Sequence, residues 1–170
     1  IGTQMIAKGL DLPLVTLVGI ISADTMLHFP DIRAGERTFQ LLSQVAGRAG
    51  RCALPGRVVV QTYTPDKYAI AAGAKHDYAS FYRQEIELRR QHGQPPFSRL
   101  VSLVYMHANA GAGRTGAEKM FQRLVEKKGQ ERLDVELVGP APMYFARIRG
   151  RYRWQIVLRG SEPTRLLDDF

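Results

Sequence analysis

The chain has 170 residues, 45% of them apolar, enough for one medium domain or two small ones with a real core. No apolar run approaches the roughly 18 residues that a membrane span needs, and a single cysteine, Cys52, excludes an internal disulfide framework or a thiolate zinc cage. A net charge of +8 favours a polyanionic partner, most often nucleic acid, with a merely soluble basic surface as the plainer alternative.

The chain begins at Ile1 rather than at a methionine, and it reads as a fragment of a longer protein from a reducing, cytoplasmic compartment. Residues 2–11, Gly-Thr-Gln-Met-Ile-Ala-Lys-Gly-Leu-Asp, precede a strand pattern. Thr3 offers a hydroxyl suited to a phosphate at the carboxyl edge of a sheet. Gly9 allows a tight turn, and Asp11 can hold a ribose hydroxyl or orient an arginine. An ordinary connection with a capping aspartate would look the same. Residues 14–21 are almost continuously apolar and β-branched, which predicts a strand buried on both faces of a parallel sheet. Residues 24–35 read as a loop punctuated by Pro30 and Gly35. A helix is predicted over 36–49, with Phe39, Leu42 and Val45 at helical spacing and Leu41 widening the stripe.

The end of that helix, Gln44-Val-Ala-Gly-Arg-Ala-Gly-Arg51, carries the strongest local signal. Gln44, Arg48 and Arg51 fall at i, i+4 and i+7, on one helical face. Gly47 and Gly50 each cost about 1 kcal/mol relative to alanine, a cost that fits close approach of another group to the backbone. Two guanidinium forks beside such a surface suit a polyphosphate. The alternative is a packing face of small residues with two solvated arginines.

Pro55-Gly56 marks a turn, and residues 58–63 predict a second strand, so the first part of the chain is an α/β sandwich. Residues 65–91 predict two helices broken near Gly73 or His76. They should bury Phe81, Ile86 and Leu88 and turn Arg83, Glu87, Arg89 and Arg90 to water. Gly93-Gln-Pro-Pro96 stops the helix. Three segments result: 1–64, a helical linker over 65–96, and a small α+β domain over 97–170.

In that last segment, strands are predicted over 100–107 and 135–138 and an amphipathic helix over 116–128. A hairpin is predicted from arms 144–149 and 151–158, turning at Gly150. In its second arm Tyr152, Trp154, Ile156 and Leu158 alternate with Arg151, Arg153 and Gln155, which puts the first set in the core and the second outward. Arg147, Arg149, Arg151, Arg153 and Arg159, interleaved with Tyr152 and Trp154, suit single-stranded or forked DNA. The period of two weakens the stacking part, because it assigns both aromatics to the core. Gly111-Ala-Gly-Arg-Thr-Gly116 spells G-x-G-x-x-G, but no βαβ unit follows, and it reads as a flexible loop. The four histidines show no metal spacing, and no metal site is predicted.

Residues 2–11 and 44–51 together resemble motifs V and VI of superfamily 2 helicases. The intervening Ser22-Ala-Asp-Thr-Met-Leu-His-Phe-Pro-Asp-Ile-Arg-Ala-Gly-Glu-Arg-Thr-Phe-Gln-Leu-Leu42 narrows the resemblance, as do Pro95-Pro-Phe97, Gly139-Pro-Ala-Pro142 and Arg149-Gly-Arg-Tyr-Arg-Trp-Gln-Ile156. Over essentially its whole length the chain resembles the C-terminal part of the PriA family of primosomal replication-restart helicases (primosomal protein N′). The resemblance implies that 1–64 is the C-terminal part of a RecA-like helicase lobe and that 97–170 is a DNA- and partner-binding domain. It implies ATP with Mg2+ and 3′→5′ DNA unwinding. Arg51 would be the arginine finger on the γ-phosphate, Arg48 a second phosphate contact, and Gln44 the coupling of the site to lobe closure. Gly9 and Asp11 would meet the nucleotide. Thr3, Gln4, Lys8, Arg149 and Arg153 would bind DNA, and Arg151 with Gln155 the acidic C-terminal tail of single-stranded-DNA-binding protein. Other primosome proteins are further implied partners.

The departures from the family pattern are as informative. No G-x-x-x-x-G-K-[ST] loop, no acidic magnesium motif and no cysteine-rich zinc ligands occur here. The first lobe and the zinc are expected upstream, and the chain alone should not hydrolyse ATP. A non-catalytic primosome scaffold with a degenerate ATPase stands as the alternative. An unrelated superfamily 2 translocase is disfavoured by the Arg-Gly-Arg-Tyr-Arg-Trp hairpin.

Overall fold

A computed structural model describes residues 16–47 and 56–168 of the chain. The chain divides into two compact units, Ile1–Leu88 and Arg89–Phe170.

In the first unit, β-branched and aliphatic residues form two short strands, β1 (Leu17–Ile20) and β2 (Arg57–Val60). They pair in parallel, with Leu17 opposite Arg57 and Ile20 opposite Val60. Between them lie α1 (Asp24–Leu27) and α2 (Ala34–Ala46), and after them α3 (Tyr68–Ala74) and α4 (Tyr78–Gln91). Helical spacing on α2 buries Phe39, Leu42 and Val45, as expected. Leu42 packs with Ala23 and Ile70 against Ile20 and Val60. Phe39 stacks on Phe81 of α4 at 4.4 Å between ring centroids. Asp77 opens α4 by accepting the Ser80 backbone N–H at 2.9 Å, a side-chain cap of the usual kind.

Three expectations need correction in this unit. Part of residues 24–35 is helical, because α1 forms there. The strand expected to be buried on both faces has one open face: Leu17 is 63% exposed, and Val59 on β2 is 54% exposed. Helices cover the Ile20 and Val60 side alone among the described residues. Leu88, expected inside, is exposed near the end of α4.

The second unit is a three-stranded antiparallel sheet with one helix on it. In chain order the elements are β3 (Arg99–His107), α5 (Ala110–Glu131), β4 (Val135–Ile148) and β5 (Arg151–Gly160), then a 3-10 turn, Pro163–Leu167. The strand order is β3-β5-β4, so the arginine-rich strand is central. This is the small α+β domain that the alternating pattern predicts. Residues 135–138 and 144–148 belong to one long strand, β4, interrupted by two register shifts, and Arg149 falls in the turn that follows. The core gathers Leu124 of α5, Val135, Ile156, Leu158 and Leu166. Each fully buried leucine or isoleucine here contributes about 1.5–3 kcal/mol by removal from water.

The G-x-G-x-x-G stretch is not a loop. It forms the first turns of α5, capped where Asn109 Oδ1 accepts the Ala112 N–H at 3.0 Å. Its glycines serve close approach of helix to sheet. A Cβ on Gly113 would meet Trp154 Nε1 at 3.2 Å, and one on Gly116 would overlap the Tyr105 ring. Glycine spacing that elsewhere admits a pyrophosphate here admits two aromatic side chains.

Candidate functional site

The sheet of the second unit has two unlike faces. Tyr152, Trp154, Ile156 and Leu158 of β5 turn toward α5, while Arg151, Arg153, Gln155, Val157 and Arg159 turn to the other side. Cross-strand neighbours share a face. Met106 therefore lies beside Arg153, Val104 and Ala141 beside Gln155, and Ile148 beside Arg151. The open face is thus a strip of guanidinium and amide groups edged by apolar side chains, with Met106 and Val138 each 51% exposed.

The arginines of this strip differ in what they already hold. Arg159 is engaged: it pairs with Glu136 and donates to the His92 carbonyl at 2.7 Å. It therefore ties strand to strand and does not belong with the free cations, where the sequence pattern grouped it. Arg147 lies over the Tyr152 ring. Arg149, Arg151 and Arg153 have no ion-pair partner among the described residues. Gln155 donates its amide to Ser102 Oγ at 2.9 Å. Arg151 and Gln155 are four residues apart, about 13 Å of strand at the usual rise. Two groups at that span meet successive groups of an extended ligand rather than one carboxylate.

The hairpin tip has its own geometry. Arg149 and Gly150 form the two-residue connection, at φ 50° and 80°. Both central residues at positive φ is the signature of the turn that suits twisted strands. Glycine adopts it freely, whereas arginine at positive φ costs roughly 1–2 kcal/mol. Just before the tip, β4 bulges: from Pro142 to Arg147 it takes five steps while β5 takes two, from Trp154 to Tyr152. The bulge carries Tyr144, 68% exposed, and Phe145, 56% exposed, in edge contact with centroids 5.0 Å apart. The sequence pattern did not single out these two aromatics. Their signal was the break in period two at Met143-Tyr-Phe-Ala146, within an arm whose continuation alternates strictly.

In the first unit, a polar knot closes the carboxyl ends of β1 and β2. Asp24 accepts hydrogen bonds from Thr62 Oγ1 at 2.8 Å, Thr64 Oγ1 at 2.7 Å and the Tyr63 N–H at 3.0 Å. The Thr64 hydroxyl, with the other donors, holds its carboxyl at about 2, against an ordinary 3.8. Gln44 stands on the exposed side near the end of α2. The described helix runs to Ala46 with Gly47 at its C-cap, and Gln44 lies in its last turn. Arg48 and Arg51, like Thr3, Gln4, Lys8, Gly9 and Asp11, lie outside the described residues.

Among the described residues, no group of three His, Cys, Asp or Glu side chains is placed to hold a metal, and no helix is long and apolar enough to cross a membrane.

Residues 90–168 match the model of the primosomal protein N C-terminal domain family. Over 98% of its length the chain is 47% identical to the replication restart protein PriA of Bacillus subtilis, covering 20% of that protein. It is 43% identical to PriA of Synechocystis over 94% of the chain and 19% of the relative, and 43% identical to PriA of Treponema pallidum over 94% of the chain and 24% of the relative. The chain thus spans about a fifth to a quarter of the length of these curated relatives.

Proposed function

The chain belongs to the PriA replication-restart family, and on that premise we propose that it is the C-terminal portion of an ATP-dependent 3′→5′ DNA helicase acting in replication restart. The observation that carries this reading is the similarity to replication restart proteins across both units, 98% of the chain in the case of Bacillus subtilis.

In this reading residues 1–64 are the C-terminal part of a RecA-like lobe. The parallel pairing of β1 with β2 supports it, and so do the exposed Leu17 and Val59, apolar positions that a further layer of such a lobe would cover. Arg51 is the finger that stabilises charge on the transferring γ-phosphoryl group of Mg2+-bound ATP, a role that contributes about 10³–10⁵ in rate. Arg48 is a second phosphate contact, Gly9 and Asp11 meet the nucleotide, and Gln44 couples the site to lobe closure. Thr3, Gln4 and Lys8 hold the DNA backbone. The phosphate loop and the zinc of the family belong to sequence outside this chain. The assembled helicase works in the cytoplasm with other primosome proteins.

The second unit supplies the DNA and partner surface. Arg149 and Arg153, cations without ion-pair partners among the described residues, neutralise phosphates. Arg151 and Gln155, bracketing a strip edged by apolar side chains, suit an extended acidic and apolar peptide. The C-terminal tail of single-stranded-DNA-binding protein is the proposed one.

The ATP half of this proposal is tested in the complete protein with Arg51→Ala. DNA-stimulated ATP hydrolysis should be lost while fork binding survives. Retained hydrolysis would remove the finger assignment.

A further inference from the structure

The two edges of the three-stranded sheet are built differently. β4 is guarded: it carries Pro140 and Pro142, which have no N–H to offer, and two register shifts break its pairing. β3 has no such device. All nine of its residues pair with β5 in unbroken register, from Arg99 opposite Gly160 to His107 opposite Tyr152. Between them, Leu100-Val-Ser-Leu-Val-Tyr-Met106 contains no proline and no charge.

Only one side of β3 is used. In an antiparallel pair, alternate residues aim N–H and C=O at the partner strand, and the residues between aim them away. Among the described residues, no backbone hydrogen bond outside the β5 pairing involves residues 99–107. The 3-10 turn reaches this strand through Leu166, which packs in the core that Val101 and Leu103 border. A long, flat, uncharged edge of this kind is a template for another strand.

The side chains along the edge define what that strand should be. Toward α5, Val101, Leu103 and Tyr105 are half-buried, so an apolar neighbour would complete their cover. On the open face, Met106 lies opposite Arg153 of β5, and Arg151 follows on the same face. Neither arginine has an ion-pair partner among the described residues. A strand added to β3 would lie about 10 Å from β5, two strand spacings. An arginine and a glutamate side chain leaning together over Met106 close that gap. A second copy of this chain would instead set two rows of arginines on one sheet, between molecules that each carry a charge of +8. Charge complementarity therefore selects an acidic occupant.

We infer that the free edge of β3 takes an extended segment of a partner protein as an added strand, with acidic side chains toward Arg153 and apolar ones beside Val101, Leu103 and Tyr105. This goes beyond the reading of Arg151 and Gln155 as a tail site, because the anchor is the main chain of β3.

The test uses the 170-residue chain and a fluorescent peptide as long as β3, in which glutamate and valine alternate. Affinity is read by anisotropy, and amide hydrogen exchange by NMR. On binding, alternate amides of Leu100–Met106 should become protected, while their neighbours, already bonded to β5, change little. The same peptide with its amides N-methylated keeps its charge and loses its donors, and should bind roughly tenfold or more weakly. Arg153→Gln should weaken the unmodified peptide and keep the alternating protection. Equal binding of the methylated peptide, binding without protection of β3, or no binding at all overturns the proposal. So does protection of β3 that grows with chain concentration in the absence of peptide, which would make a second copy the occupant. An oligothymidylate titrated in parallel reports on the phosphate reading separately, whichever result the peptide gives.

Discussion

The guanidinium carbon of Arg147 lies 5.2 Å from the ring centroid of Tyr152, across the register pair that closes the base of the hairpin. This contact occupies the one aromatic that both alternates with the arginines and reaches the hairpin end of β5. It also fixes the second arm against the first just beyond the bulge. Replacing Tyr152 by leucine keeps apolar bulk and removes the ring quadrupole. We expect a loss of about 0.5–1 kcal/mol in urea unfolding. Tyr152→Phe should stay closer to the original. Equal losses for both variants would mean that the contact contributes through the hydroxyl or through packing alone.

Gly116 meets a harder limit. A Cβ there overlaps the Tyr105 ring where α5 crosses β3. Overpacking of this kind typically costs about 1–3 kcal/mol, so Gly116→Ala should lower unfolding stability by that amount. Combining it with Tyr105→Leu should recover most of the loss, because the overlapping atoms belong to the ring. Additive losses in the double variant would place the glycine's role in the helix rather than in its approach to the ring.

Asp24 makes the first unit sensitive to acid. Its carboxyl is held at about 2, below the ordinary 3.8, chiefly by the Thr64 hydroxyl. A carboxyl depressed by folding adds stability that is fully present above its unfolded value and is lost as the pH falls through the folded one. Stability should therefore decline between about pH 4 and pH 2. Asp24→Asn should be less stable at neutral pH and flatter across that window, as read by urea unfolding at stepped pH. An identical pH profile for both proteins would show that the knot does not titrate.

Much of this arrangement was legible in the residues. The alternation over 151–158 gave the two faces of β5 because a strand has a period of two, and the structure keeps it without a slip. The α2 stripe of Phe39, Leu42 and Val45 was equally plain. The bulge at 143–146 was marked by nothing but a break in period two, because an inserted register step leaves no composition of its own. The helical start of α5 was hidden by its glycines, which lower helix propensity but are required by Tyr105 and Trp154 across the sheet. The engagement of Arg159 depended on Glu136, a strand away and distant in sequence. Of the ATP-side residues, Gln44 alone falls within the described structure.

The central claim, that the free arginines of the hairpin bind nucleic acid, is tested most directly by the salt dependence of oligonucleotide affinity in two substituted chains. The first carries Arg149→Asn and Arg153→Gln. Asparagine accepts positive φ better than arginine, so the turn at 149–150 should be as stable as before or more so, and weakened binding cannot be laid to an unfolded hairpin. The second carries Arg159→Ala, which breaks an exposed pair of about 0–1 kcal/mol. The account predicts weaker binding in the first, with the slope of log K against log salt reduced by about 0.7 for each single-strand phosphate left without its arginine, and an unchanged slope in the second. An unchanged slope in the first chain, or an equal reduction in both, would contradict it.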